Sequence, residues 1–172
     1  MKTLEELEKK EIVVLLNKCW MTHDGMWFYH CANEFGMEKT NQLNKKAINA
    51  LAPIEVSRLK HAVGFEKETV ETFEELKRLL NRAADLFIPD FMGGIFDFPE
   101  ENVFRAEMKP EKCFAYKGMK MLGVIEEYQC GVIYRLECWF NALGLTYSVS
   151  PPSGKCSMRS GGECKRDFRF AF

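Results

Sequence analysis

The chain has 172 residues, enough for one domain with a sizeable core, and 47% of them are hydrophobic. Its 24 basic and 25 acidic side chains nearly cancel, so no overall field favours binding to nucleic acid or a membrane surface. No apolar run approaches the roughly 18 residues of a membrane span, and the acidic start MKTLEELEKKE is unlike a signal or transit peptide. We therefore expect a soluble, cytoplasmic protein that binds neither nucleic acid nor membrane, with a net charge compatible with a homodimer.

The first part of the chain, residues 1–88, places its apolar residues at helical spacing. Asp24 is a plausible N-cap, Gly36 a plausible helix stop, and Pro53 is expected to kink or divide a helix. We predict four helices in this part, over residues 4–19, 24–36, 37–63 and 73–87.

The second part, residues 89–172, alternates strands with helix. Phe104, Ala106 and Met108 alternate with polar neighbours after a Pro-Glu-Glu-Asn turn, which predicts a β-hairpin with one buried face. We predict further elements in the order helix 114–122, helix 125–143, strand 146–149 and strand 168–172. The whole chain is then one α+β domain, with N-terminal helices followed by a small antiparallel sheet of two hairpins separated by helix.

The predicted helix over residues 125–143 is apolar on two sides. Cys130, Tyr134 and Cys138 follow at i, i+4 and i+8, nearly opposite a second apolar stripe that includes Trp139. Either the helix is central, with its cysteines packed as small hydrophobic residues, or this face looks into a site. The second interpretation makes Tyr134 and Trp139 candidate ligand-binding residues.

Seven cysteines, an odd number, argue against a closed disulfide framework, and we expect reduced thiols. Five of them lie in the last 60 residues of the chain, where four thiolates could surround zinc or iron. The candidate metal ligands are Cys130, Cys138, Cys156 and Cys164. Their spacing lacks the C-x2-C pair of a zinc ribbon, so packing of these thiols in the core remains the alternative.

Basic residues crowd the same C-terminal end, namely Arg159, Lys165, Arg166 and Arg169. They could stabilise a thiolate or an anionic ligand. They could equally form a solvated basic strand edge.

A second candidate region is the segment WMTHDGMWFYHCANEFG. If it is helical throughout, His23, Trp27, His30 and Glu34 share one stripe, and His30 and Glu34 lie one turn apart. Trp27 and His30 are thus candidate ligand-binding residues. The alternative places the aromatic side chains, Trp27 among them, in the core, with hydrogen-bonded histidines at the surface.

The C-terminal run CGVIYRLECWFNALGLTYSVSPPSGKCSMRSGGECKRDFRF resembles the end of the 4-vinyl reductase type of ligand-binding domain. It is also similar to the L-2-amino-thiazoline-4-carboxylic acid hydrolase family, and DGMWFYHCANEFGMEK looks like a related, uncharacterised prokaryotic family. These resemblances imply a sensor-like, often dimeric fold with a pocket for small cyclic or hydrophobic molecules, and sometimes a cysteine-bound metal.

Three functional hypotheses follow. The first is a small-molecule-binding protein with a cysteine-lined pocket that holds an organic ligand or a metal. The second, which the hydrolase resemblance implies, is a hydrolase of a cyclic amidine-like molecule, with Cys156 or Cys164 as nucleophile and His30 as base. The third is a structural protein that dimerises through an aromatic surface.

Overall fold

The computed structural model describes residues 3–172 and confirms the α+β prediction. Short 3-10 turns occur at Leu4–Glu6, Asp90–Met92 and Ser157–Ser160. The α-helices of the described chain are α1 (Lys9–Ala62), α2 (Phe73–Phe87), α3 (Phe114–Met121) and α4 (Gly131–Ala142). The strands are β1 (Gly94–Glu100), β2 (Val103–Met108), β3 (Thr146–Ser150) and β4 (Cys164–Ala171).

The four strands form one antiparallel sheet in the order β1-β2-β4-β3. The two predicted pairs, β1 with β2 and β3 with β4, are joined because β2 also pairs with β4. Strand β4 is longer than the predicted strand over 168–172, since it already begins at Cys164. Its buried face consequently carries Cys164, Arg166, Phe168 and Phe170 in succession.

Helix α1 corrects the prediction of three separate N-terminal helices. No helix starts at Asp24, because the helix runs through Gly25, whose cost inside a helix is only about 1 kcal/mol. The predicted stop at Gly36 is a real break: its φ of 74° and ψ of 166° lie outside the helical region and favour glycine. Pro53 stays within helical backbone and does not divide α1, contrary to the prediction.

Helix α4 begins six residues later than the predicted start at residue 125. Gln129 pairs instead with Lys155 in an isolated antiparallel bridge, and Cys130 becomes the extended N-cap of α4. The predicted i, i+4, i+8 face of Cys130, Tyr134 and Cys138 is therefore wrong at its first member. The long-range bridge, which no local periodicity reveals, decides where this helix starts.

Two clusters of buried residues fill the interior. The larger one, the aromatic core, lies between the sheet, α2, α4 and the second half of α1, and is centred on Phe104, Phe140 and Phe168. The smaller one, the cysteine cluster, lies at the other end of β4. Its buried members are Phe28, Met37, Met108, Cys113, Met119, Tyr128, Cys156, Met158 and Cys164, with Cys130 packed against them.

Candidate metal centre

Cys130 and Cys156 are brought together by the bridge ahead of α4. The Cys130 backbone N–H donates a 2.8 Å hydrogen bond to the Gly154 carbonyl, and the Cys156 N–H donates a 3.4 Å bond to the Tyr128 carbonyl. Asn41 on α1 fixes the same segment from the other side, since its amide bonds the Glu127 carbonyl and the Gln129 N–H at 2.9 and 3.0 Å. Two cysteines that are far apart in sequence thus lie on adjacent stretches of backbone.

Cys113 and Cys164 are brought together at one end of the sheet. Cys164 opens β4 opposite Met108, the last residue of β2. The chain then turns, with the Cys113 N–H donating a 2.8 Å hydrogen bond to the Lys109 carbonyl, and Cys113 becomes the N-cap of α3. Cys113 therefore joins Cys130 as a thiol placed at a helix N-terminus, a position that favours negative charge on sulfur.

The sulfur atoms in the cysteine cluster influence one another electrostatically. Burial raises the pKa of Cys130 to about 12 and that of Cys164 to about 11, and the neighbouring cysteines push both pKa values in the same direction. The pKa of Cys113 is raised by burial as well. A hydrogen bond from the Ile133 backbone N–H acts in the opposite direction on the pKa of Cys130. Cys130 as a whole residue is only partly buried and packs against the cluster.

Arg166 is the charged group of this region. It lies two residues after Cys164 on the same buried face of β4, and only 5% of it is exposed. Its guanidinium donates hydrogen bonds to the Ser157 hydroxyl at 2.5 Å and to the Lys165 carbonyl at 2.8 Å, while Nε has no partner. It forms no ion pair with any of the described residues 3–172. A buried cation without a counter-charge is costly, so this end of the protein favours an anion.

The other C-terminal basic residues do not share this environment. Arg169 is exposed and pairs with Glu100 at 3.1 Å, which fits the solvated-edge interpretation. Arg159 donates a 3.0 Å hydrogen bond to the Cys156 carbonyl, so it supports the turn beside the cluster. Only the charge of Arg166 is enclosed with the thiols.

Cys138 does not join the other predicted metal ligands. It is buried in the aromatic core, where its sulfur lies 3.7 Å from the Asn49 amide oxygen. Cys130, Cys156 and Cys164 do lie in one cluster, and Cys113 takes the fourth place. With the side chains as they stand, no group of three or more His, Cys, Asp or Glu residues within 3–172 is arranged to hold a metal ion.

The four predicted ligand-binding residues do not converge on one pocket. Trp139 is buried, and its indole N–H donates a 2.9 Å hydrogen bond to Glu55, which also pairs with Arg135. Tyr134 lies at the surface of α4 with the Lys45 ammonium 5.3 Å from its ring centre. Trp139 therefore has a structural role, and Tyr134 lies apart from the other two predicted residues, Trp27 and His30.

Trp27 and His30 lie together on the outer face of α1. With His23 and Met26 they line an open depression of about 270 Å³. Trp27 is 62% exposed, so its predicted alternative place in the core is wrong, whereas Phe28 does pack into the cysteine cluster. Since His30 is two residues from Phe28 and points away from it, the structure does not place His30 beside the cluster cysteines.

Two residues of the candidate site were missed or left undecided by the sequence-based prediction. Cys113 was not chosen as a ligand, although it directly precedes the predicted helix over residues 114–122. Arg166 could have been separated from its basic neighbours by extending the alternation of Phe168 and Phe170 back to Cys164.

The comparisons with known proteins concern mainly α1 and α2. A family model described as "Family of unknown function (DUF6125)" matches residues 2–87, half of the chain. The chain belongs to this family. The matched residues of DUF6125 end where α2 ends, so the four clustered cysteines lie outside them.

No curated protein and no solved structure matches the chain. The resemblance to the 4-vinyl reductase and thiazoline hydrolase families therefore stays a prediction. Among residues 3–172, no helix combines the length and the apolar character needed to cross a membrane.

Proposed function

We propose that this DUF6125 protein binds a thiophilic metal ion, zinc in first place, through Cys113, Cys130, Cys156 and Cys164. The observation that carries the proposal is Arg166, a buried cation beside these thiols that lacks a carboxylate partner. Four neutral thiols give such a charge no reason to be buried. A divalent ion with four thiolates carries a net charge of −2, of which Arg166 would offset one unit.

The chemistry of the donor set supports zinc. Thiolates are soft ligands, and four of them in a tetrahedron form a closed structural site. Backbone N–H groups near ligand sulfurs tune such sites, and the Ile133 N–H acts to lower the pKa of Cys130. The metal reverses the local preference for neutral thiols, because its charge outweighs the effects of burial and of the neighbouring sulfurs.

Binding requires the four sulfurs to draw together from their present positions. Cys156 and Cys164 border a short segment that holds the 3-10 turn Ser157–Ser160 and Gly161. Cys113 and Cys130 sit at helix starts. Metal binding would have to shift these turns and caps until all four sulfurs reach the Zn–S distance of about 2.3 Å.

The test is titration of the reduced, metal-free full chain with cobalt(II), which reports tetrahedral thiolate coordination in its visible spectrum, followed by displacement with zinc. We expect one equivalent per chain. Cys130→Ser should abolish the tetrahedral spectrum. The matched control is Cys138→Ser on the same helix, which should leave spectrum and stoichiometry unchanged.

Two results would overturn the proposal. One is a wild-type chain that gives no thiolate–cobalt spectrum with its thiols reduced. The other is equal loss in the Cys130 and Cys138 variants when both remain folded. Iron is the competing metal, and a higher affinity for iron(II) than for zinc would change the metal assignment while keeping the four ligands.

A further inference from the structure

An apolar stripe runs along the outer face of the first half of α1. Successive residues of the stripe are separated alternately by four and three positions in the sequence, which is the pattern of a coiled-coil seam. The stripe consists of Ile12, Leu16, Cys19, His23, Met26 and His30, flanked by Leu15, Trp20 and Trp27. The opposite side of the same helix packs on the protein through Phe28.

Large apolar side chains are exposed along this stripe. Leu16 and Trp27 are each 62% exposed, and Leu15 and Met26 are exposed to similar degrees. With Trp20, they present on the order of 500 Å² of apolar surface, if each large side chain offers about 150–250 Å² in full. This is the size of the largest patch on a typical monomer, which is often functional, and it is more than half of the roughly 800 Å² that each partner contributes to a stable complex.

The shape of the surface is that of a helix-packing seam. The depression of about 270 Å³ is lined by His23, Met26, Trp27 and His30, at positions i, i+3, i+4 and i+7. Four residues at these spacings form the hole that accepts one side chain from a facing helix. A second depression of about 440 Å³ lies one turn earlier, between Cys19 and His23.

Charge at the two ends of the stripe selects its partner. Lys9 lies at the N-terminal end of the face and Glu34 at its C-terminal end, both exposed. Neither forms an ion pair within residues 3–172. A second copy running antiparallel brings each Lys9 within one residue of the other copy's Glu34, twice by symmetry, although Glu8 also comes near Glu34. A parallel copy in register places every one of these like charges together.

We propose that this face is the interface of an antiparallel homodimer. Heptad pairing about a two-fold axis near residue 21 sets Leu16 against Met26 of the second copy and Cys19 against His23. It also directs each Leu16 towards the depression beside Trp27. The seam is about 40 Å long for residues 9–35, at 1.5 Å per residue. The inference is independent of the cysteine cluster.

Sedimentation of the full chain across a range of concentrations tests the interface. We expect a dimer, and Leu16→Glu should weaken it by at least about 30-fold in dissociation constant, since it buries an unpaired charge in the seam. Leu16 is exposed in the single chain, so the variant should keep its fold. Leu86→Glu alters a similarly apolar, exposed side chain on α2 and should leave the dimer intact. A monomeric wild type, or a dimer indifferent to Leu16→Glu, would refute the interface.

Charge exchange tests the orientation. Lys9→Glu alone and Glu34→Lys alone should each weaken the dimer by about 10-fold, and the double variant should recover wild-type affinity. Oxidation gives an independent readout. In an antiparallel dimer, Cys19→Ser in a His23→Cys background should abolish disulfide-linked dimers, because position 23 faces position 19. Failure of the double variant to recover, or persistent cross-linking without Cys19, would refute the antiparallel arrangement.

Discussion

Strand β4 carries Cys164 and Arg166 at one end of its buried face and Phe168 and Phe170 at the other. At the phenylalanine end, the rings pack edge to face. The ring centre of Phe140 lies 5.0 Å from the ring centres of both Phe168 and Phe170. At the cysteine end, Cys164 lies two residues from Arg166 on the same buried face. Both ends are buried, yet among the described residues only Arg166, at the cysteine end, keeps a buried side-chain N–H without a partner.

The two regions also differ in whether a buried charge has a charged partner. In the aromatic core, buried Glu55 is matched by Arg135 and by the Trp139 N–H. In the cysteine cluster, Arg166 has only neutral oxygen atoms as acceptors. A buried polar group that the fold leaves partly unsatisfied is more typical of function than of packing. The comparison therefore assigns stability to the aromatic core and supports the proposal that the cysteine cluster binds a metal.

The largest expected change in stability comes from a substitution in the aromatic core. Phe140→Ala removes a fully buried ring that contacts Phe104, Phe168 and Phe170, so the free energy of unfolding should fall by about 3–5 kcal/mol. Urea denaturation measures this. Met121→Ala, at an 80% exposed site, should change it by less than about 0.5 kcal/mol. A small effect of Phe140→Ala would contradict the structural role of the aromatic core.

Zinc should stabilise the protein through the cysteine cluster. At a free zinc concentration 100 times the dissociation constant, the free energy of unfolding should rise by about 2.7 kcal/mol. The same zinc concentration should leave the unfolding of Cys130→Ser unchanged and stabilise Cys138→Ser as it does the wild type. Stabilisation of Cys130→Ser equal to that of the wild type would place the metal elsewhere.

Alkaline pH should destabilise the metal-free protein. In the unfolded chain a thiol ionises near its ordinary pKa of 9.0, while burial raises the pKa of folded Cys130 to about 12. Between these values the folded state holds more protons. The stabilising contribution is therefore complete below pH 9 and is lost as pH rises towards 12, by up to about 1.4 kcal/mol per pH unit.

Urea denaturation at pH 8 and pH 10 measures this dependence, and Cys130→Ala, which removes the ionising group, should weaken it. With zinc bound the thiols are already deprotonated, so the trend should reverse and zinc affinity should rise with pH until the ligands are fully ionised. An unchanged pH dependence in Cys130→Ala would contradict the raised pKa of its thiol.

The smallest change in stability is expected for a substitution of Arg166, and its sign distinguishes it from the destabilising substitutions above. Arg166→Met removes a buried charge without a counter-charge, so the free energy of unfolding of the metal-free protein should stay level or rise by about 1 kcal/mol. Zinc affinity should fall by about 10-fold, because the negative centre loses its balancing charge. Zinc affinity equal to that of the wild type would show that Arg166 does not serve the metal.

The features that could be predicted from the sequence are those set by residues close together in the chain. The helix Phe73–Phe87 was predicted with its bounds because its apolar residues repeat at helical spacing, and in the structure Thr72 caps it. The alternation of Phe104, Ala106 and Met108 gave strand β2 for a similar reason. These elements follow from residues close together in the chain.

The candidate site could be predicted only in part. Three of its four cysteines were named, but Cys138 was chosen in place of Cys113. The bridge from Gln129 to Lys155 delays the start of the helix until after Cys130, so that residue is not on the helical face of Cys138. Such a contact joins residues far apart in the chain, and no periodicity encodes it.

X-ray absorption at the zinc edge of the zinc-loaded full chain tests the central claim most directly. The account predicts four sulfur ligands at about 2.3 Å and no nitrogen or oxygen in the first coordination sphere. A zinc ion bound mainly by nitrogen and oxygen would contradict it and would leave the four cysteines as core residues.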